Sequence, residues 1–189
     1  MLTQRFVQGM ELAMRAHNDQ VRKGTCIPYI SHPMGVASIA LEFGADEDQA
    51  IAALLHDAVE DGGAAYEVEI RERFGSQVAD IVMGCTDGVP DAAGHKPPWK
   101  QRKERYLAHL EQADARTLLV SGADKLHNAR AILSDLQTTG ESVFERFTAS
   151  KEETLWYYTS LAAVFSRRGV PVAAALTRTV SEILTHQDA

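Results

Sequence analysis

The stretch AIAALLHDAVED (residues 50–61) decides how the chain is read, because a continuous apolar run turns abruptly into a row of imidazole and carboxylate groups, His56, Asp57, Glu60 and Asp61. Residues four apart lie on one face of a helix, so an unbroken helix stacks His56 over Glu60 and Asp57 over Asp61. Two polar columns thus emerge from a hydrophobic helix. Burying four such groups without compensation is prohibitive, since even one unpaired buried charge costs several kcal/mol after relaxation. A bound cation supplies the compensation. The alternative is a surface helix end whose acids are simply solvated. That reading is weakened by two further residues in equally implausible surroundings: His32 stands at a helix start before an apolar face, and Asp124 sits in LLVSGADKL (residues 118–126), which otherwise reads as core.

Working outward, apolar periodicity is helical nearly everywhere, and alternating β-branched stretches bounded by turns are scarce. The pattern predicts an all-α protein of about nine to ten helices. A first helix from Thr3 to Asp19 carries Phe6, Met10, Ala13 and His17 on one stripe, and a second begins at His32-Pro33, where proline suits the first turn. Asp46 with Gln49 forms a capping box that opens a helix running through His56 into Asp61, ended by Gly62-Gly63. Shorter helices follow from Tyr66 to Phe74 and from Ser76 to Cys85, separated by Gly75. The segment TDGVPDAAGHKPP (residues 86–98) has the composition of a loop, and loops of this length are either functional lids or connectors. Helices resume at residues 99–110 and 114–136; a Ser150/Glu153 capping box opens another up to Arg168, and Val172 to His186 closes the chain. With no repeat or low-complexity tract, residues 1–189 are expected to form a single domain, which at this size buries roughly 70% of its unfolded surface.

Composition narrows the function classes. A net charge of −7 argues against binding to nucleic-acid phosphates, and no apolar run reaches the ~20 residues of a membrane span. The N-terminus mixes charges into its apolar pattern and lacks the hydrophobic block of a signal peptide, so a cytoplasmic protein is expected. Cys26 and Cys85 lie in neither a CxxC nor a framework spacing and read as reduced thiols.

His32, His56, Asp57 and Asp124 together would make a mixed nitrogen and oxygen site suited to Mn²⁺, Fe or Zn²⁺, with positions left open for water and substrate. Open positions mean catalysis. Glu60 and Asp61, one turn further along, are placed to orient or deprotonate the hydrolytic water.

HDAVED, the upstream PYISHP (residues 28–33) and the downstream ADKLHN (residues 123–128) occur in order, and together they resemble the HD-domain hydrolase of the RelA/SpoT homologue family, in particular its single-domain small alarmone hydrolases. The resemblance runs from about Arg22 to Asn128. It implies a single HD-domain helical bundle that removes pyrophosphate from the 3′ position of guanosine tetra- and pentaphosphate. It also implies His32, His56, Asp57 and Asp124 as ligands, usually of Mn²⁺, with Glu60 and Asp61 activating water and Arg22 and Asn128 binding the nucleotide. Two departures bear on the substrate. Gly62 stands where the family commonly has Thr, and the family's GxTK reads GCTD here, putting Asp87 at the position of a phosphate-binding lysine. Lys96, Lys100, Arg102, Lys103 and Arg105 offer replacement positive charge. The rival readings are the same chemistry on an adenosine-based alarmone, a deoxynucleoside monophosphate or NADPH, and a non-catalytic nucleotide sensor. The intact HD and ED pairs speak against the sensor.

Overall fold

A computed structural model describes residues 1–88 and 97–186. In chain order the helices are α1 (Gln4–Ala16), α2 (Ser31–Glu42), α3 (Glu47–Leu55), α4 (Ala58–Gly62), α5 (Ala64–Phe74), α6 (Ser76–Cys85), α7 (Trp99–Leu110), α8 (Ala115–Thr139), α9 (Lys151–Arg167) and α10 (Ala173–His186). A 3-10 segment (Gly140–Arg146) follows α8. Among the described residues extended pairing is limited to one isolated bridge, Val21 to Pro28, so the all-α expectation holds. Among the same described residues no helix is long and apolar enough to cross a membrane.

The two sequence capping boxes form as expected. The Asp46 carboxylate accepts from the Gln49 backbone while the Gln49 side chain returns to the Asp46 backbone, and Ser150 and Glu153 do the same for α9. Asp114 caps α8 by accepting from the Thr117 backbone N–H at 2.9 Å. Arg116, just inside α8, donates to Asp46 at 2.9 Å, so the starts of α3 and α8 are tied together. Gly63 and Gly75 take φ of +86° and +91° at the ends of α4 and α5, conformations that side-chain-bearing residues rarely adopt.

Two helices form the spine. Every residue of α3 from Gln49 to Leu55 is buried, and burial of Ile51, Leu54 and Leu55 contributes about 1.5–3 kcal/mol each. The 25-residue α8 packs against α2, α3, α6, α9 and α10, placing Leu118, Leu126, Ala129 and Leu136 at the centre of the molecule.

The helix expected to run unbroken through HDAVED is instead interrupted. Residues 56 and 57 form a turn between α3 and α4, with Asp57 at φ −95° and ψ −8°. The cause is local: His56 Nδ1 bonds to the Ala53 carbonyl at 2.8 Å, the acceptor that an uninterrupted helix gives to the N–H of residue 57. Likewise α1 stops at Ala16 rather than Asp19; the His17 ring is drawn to Gln20 Oε1 at 2.7 Å as the chain turns toward the Val21–Pro28 bridge. The loop expected over residues 86–98 falls mostly on residues 89–96, outside the described residues, as does Lys96.

Gly122 marks the tightest approach in the spine: a Cβ there would lie 2.5 Å from Val172 Cγ2 and 3.4 Å from Val170 Cγ1. Gly122→Ala is expected to cost about 1–3 kcal/mol through overpacking, read as a lowered Tm by circular dichroism. An unchanged Tm would show that this crossing yields freely.

Candidate metal centre

Three separated segments deliver side chains to one point. His32 comes from the first turn of α2, His56 and Asp57 from the turn between α3 and α4, and Asp124 from the middle of α8. One ligating atom each of His32, His56 and Asp124 lies within 4.8 Å of the others, and all three residues are buried. Asp124 Oδ1 is 3.2 Å from His32 Nε2 and 3.7 Å from His56 Nε2. Asp57 joins through Oδ2, which lies 3.0 Å from His56 Nε2 and 3.5 Å from His32 Nε2. All four residues named from the sequence therefore converge, with Asp57 at the more open side (21% exposed, against 5% for Asp124).

The donor set fits a divalent cation. His56 Nδ1 is committed to the Ala53 carbonyl, so Nε2 is the nitrogen turned into the site; it is buried and lacks a hydrogen-bond partner of good geometry among the described residues. A buried nitrogen aimed at two carboxylates is what a cation satisfies. No thiolate takes part: Cys85 is buried, its thiol pushed up by that burial, and Cys26 is exposed.

Around these four lies a shell in which Arg22 and Asn128, expected to bind nucleotide, are joined by Tyr29, His127 and Lys125. Tyr29 donates its hydroxyl to Asp57 Oδ2 at 2.7 Å, and its ring packs against His17 and edge-on against His32. His127 Nδ1 is 3.0 Å from His32 Nδ1. Burial, followed by the neighbouring His32, pushes the His127 imidazole down to about 4, so at neutral pH it can accept the His32 Nδ1 proton and leave His32 Nε2 facing the acids. Gly35 makes room for this contact, since a Cβ there would lie 2.3 Å from the His127 ring. Lys125 donates to Asp124 Oδ2 and Asn128 to Asp124 Oδ1, both at 2.6 Å. Arg22 in turn donates to the Asn128 side-chain oxygen at 2.8 Å. The helical spacing of DKLHN places Asn128 over Asp124 and His127 one turn from it, but the partner of His127, His32, lies on another helix. Lys125 reaches its neighbour only because its stem is long.

Glu60 is half-buried and Asp61 exposed on α4, and both have interacting partners. Asp61 Oδ2 lies 3.7 Å from Nδ1 of the buried His17, so the α1 stripe does reach this region. A cavity of about 510 Å³ adjoins the centre. Its walls include the cations Arg22, Lys23 and Arg146, the rings of Phe147 and Tyr158, and Tyr29, His127 and Asn128. Those last three each hydrogen-bond one of the converging residues. Asp87 does not face solvent as a lone acid: the residue is half-buried, its side chain is only 6% exposed, and it is paired with Arg102 and Lys103, so those two cations are spent on it.

Residues 9–164 match the family model for the HD domain. The chain belongs to the HD-domain family. Over 124 residues, 65% of its length, it is 40% identical to a guanosine-3′,5′-bis(diphosphate) 3′-pyrophosphohydrolase of Aquifex aeolicus, of which it spans 17%. It is 38% identical over 128 residues to the pyrophosphohydrolase MESH1 of Xenopus tropicalis, covering 66% of this chain and 68% of that one. A solved structure of a metazoan orthologue of SpoT, reported to hydrolyse ppGpp and to act in starvation responses, superposes with a TM-score of 0.74 at 26% identity, over 96% of this chain and 97% of that one. The chain thus covers most of the short relative and less than a fifth of the Aquifex one.

Electrostatics make the HD-domain centre a proton site when no cation occupies it. Burial is the largest influence on His56, Asp57 and Asp124 and opposes charge on each, yet mutual attraction prevails. The Asp57 and Asp124 carboxylates hold the His56 imidazole well above its ordinary 6.5. His56 and His32 hold Asp57 well below the usual carboxylate range, and Lys125 together with the histidines does so for Asp124. Depressed carboxyl values add stability that is present above the ordinary carboxylate range and lost as pH falls through the folded values. The raised imidazole adds stability present below its ordinary value and lost as pH rises through the folded one.

The metal-free protein is therefore expected to melt highest near pH 6.5, losing stability above it as His56 gives up its proton, and below it because His127, held down to about 4, stays neutral in the fold while the unfolded chain takes up a proton. The increment in Tm from Mn²⁺ should grow over the same rise, because the cation replaces the proton on His56 Nε2. Calorimetric scans with and without Mn²⁺ check this; a metal increment independent of pH would contradict it. Tyr29→Phe removes one hydroxyl from Asp57 and is expected to weaken Mn²⁺ binding by about 10–100-fold in titration calorimetry.

Proposed function

We propose that the chain is a metal-dependent pyrophosphohydrolase that removes the 3′-diphosphate from guanosine tetra- and pentaphosphate. It would work as one domain over residues 1–189 in the cytoplasm, with Mn²⁺ held by His32, His56, Asp57 and Asp124. The observation that carries this reading is the contiguity of centre and cavity: three residues of the cavity wall, Tyr29, His127 and Asn128, each bond directly to one of the four converging side chains. A phosphate of a molecule filling about 510 Å³ would meet the centre at that shared wall. The names of the Aquifex and Xenopus relatives support the same activity.

When bound, the divalent ion supplies Lewis-acid polarisation of a phosphoryl oxygen and lowers the pKa of water near neutrality. The chain's own residues do the rest. Asp61 and Glu60, on the short helix beyond the ligand turn, steer the attacking water and receive its proton. Arg22 and Asn128 hold the nucleotide, with Lys23 as a further cation at the wall, where Arg146 is paired with Asp135 at 2.7 Å. Water adds in line at the phosphorus bonded to the 3′ oxygen, the bond between them breaks, the 3′ oxygen takes up the proton removed from the water, and pyrophosphate and the nucleotide with a free 3′ hydroxyl separate.

Burial of Asp87 against Arg102 and Lys103 supports a second reading, the same hydrolysis on another nucleotide, since the family's phosphate-binding cation is replaced by an acid that consumes two others. Chromatography of guanosine tetraphosphate, its adenosine counterpart, a deoxynucleoside monophosphate and NADPH after incubation with the Mn²⁺-loaded protein separates the cases. Guanosine diphosphate and pyrophosphate are expected from the first, and Asp57→Asn should abolish their release. Intact guanosine tetraphosphate at stoichiometric protein would refute the reading, with turnover of another nucleotide establishing the second and binding without any turnover a sensor.

A further inference from the structure

One cation in the centre belongs to the protein itself. The Lys125 side chain is only 13% exposed, its Nζ lies 2.6 Å from Asp124 Oδ2, and the Tyr106 ring covers it at 5.2 Å from the centroid. Asp124 is its ion-pair partner among the described residues. The two oxygens of Asp124 are thereby given different tasks. Oδ1 faces His32 and His56, with Asn128 donating to it, whereas Oδ2 is turned to the ammonium. Lys125 is not among the residues lining the cavity, so its charge acts through Asp124 and the low-dielectric interior rather than by touching a ligand there.

Charge balance gives this arrangement a consequence. Two carboxylates and two neutral imidazoles just neutralise a divalent ion, so the buried ammonium adds one positive charge to the four ligating groups and their ion. The same ammonium repels the incoming ion and denies it the second oxygen of Asp124. We propose that Lys125 is a positioning residue that restricts Asp124 to one ligating oxygen and adds a positive charge to the loaded centre, weakening its grip on the metal while strengthening its attraction for phosphate anions. The inference rests on the metal reading of the four converging residues and adds a sign to it: removal of Lys125 charge should tighten metal binding, where ordinary damage to a site loosens it.

The test compares the wild-type chain with Lys125→Gln, which keeps a donor for Asp124 Oδ2 without the charge, and Lys125→Arg, which keeps the charge. Mn²⁺ binding is measured by titration calorimetry at one fixed pH, and inorganic pyrophosphate binding is then measured on the Mn²⁺-saturated proteins, with the fold of each metal-free protein checked by circular dichroism. Lys125→Gln is expected to bind Mn²⁺ on the order of tenfold more tightly, and pyrophosphate on the order of tenfold more weakly, than wild type. Lys125→Arg should stay within about threefold on both. Equal or weaker Mn²⁺ binding by a folded Lys125→Gln would overturn the inference, as would unchanged pyrophosphate affinity. Should Lys125→Gln be unfolded without metal, Lys125→Arg decides: loss of Mn²⁺ affinity despite the retained charge would overturn it. Absence of Mn²⁺ binding in the wild-type chain would instead refute the metal reading itself.

Discussion

The hydrogen bond from His56 Nδ1 to the carbonyl of Ala53 is the contact on which the centre depends. It takes an acceptor from the backbone ladder of α3 and so introduces the turn at residues 56 and 57. It also commits one ring nitrogen, leaving Nε2 to point at Asp57 and Asp124. Bending the chain and choosing the nitrogen are thus one event. Ala53 belongs to the stretch of α3 from Gln49 to Leu55 that is buried throughout, so the cost of interrupting the helix falls on a segment with apolar burial to spare.

On the opposite side, α8 concentrates a comparable set of tasks into five residues. Asp124 faces the histidines, Lys125 and Asn128 hold its two oxygens, His127 supports His32, and Leu126 between them is completely buried in the core. Polar and apolar side chains alternate around this turn because the helix is enclosed by neighbours on most sides. The polar groups survive burial only by satisfying one another.

The sequence made the helices and the four converging residues legible because their signals are local or chemically conspicuous. Capping boxes at Asp46 and Ser150 follow from spacing alone, and an aspartate inside LLVSGADKL has no bland explanation in a core helix. Three things were not legible for a common reason, namely that each depends on a contact between distant segments or on a side chain turning back on its own backbone. The turn at His56 requires its ring to find Ala53; the Tyr29 hydroxyl requires Asp57, 28 residues away; and His127 requires a glycine at position 35 on another helix. The fate of Asp87 belongs here too. As an isolated letter it looks like a missing phosphate contact, whereas in the fold it is a half-buried acid neutralised by two basic residues from α7.

His32, Asp124 and the turn bearing His56 and Asp57 are carried by helices that are also the framework of the bundle. The centre consequently has no suspension of its own. A sideways slip of α8 displaces an acid, its two supporting donors and the imidazole behind His32 in a single movement, so structural wear anywhere along that helix would be felt first as a loosened grip on the ion.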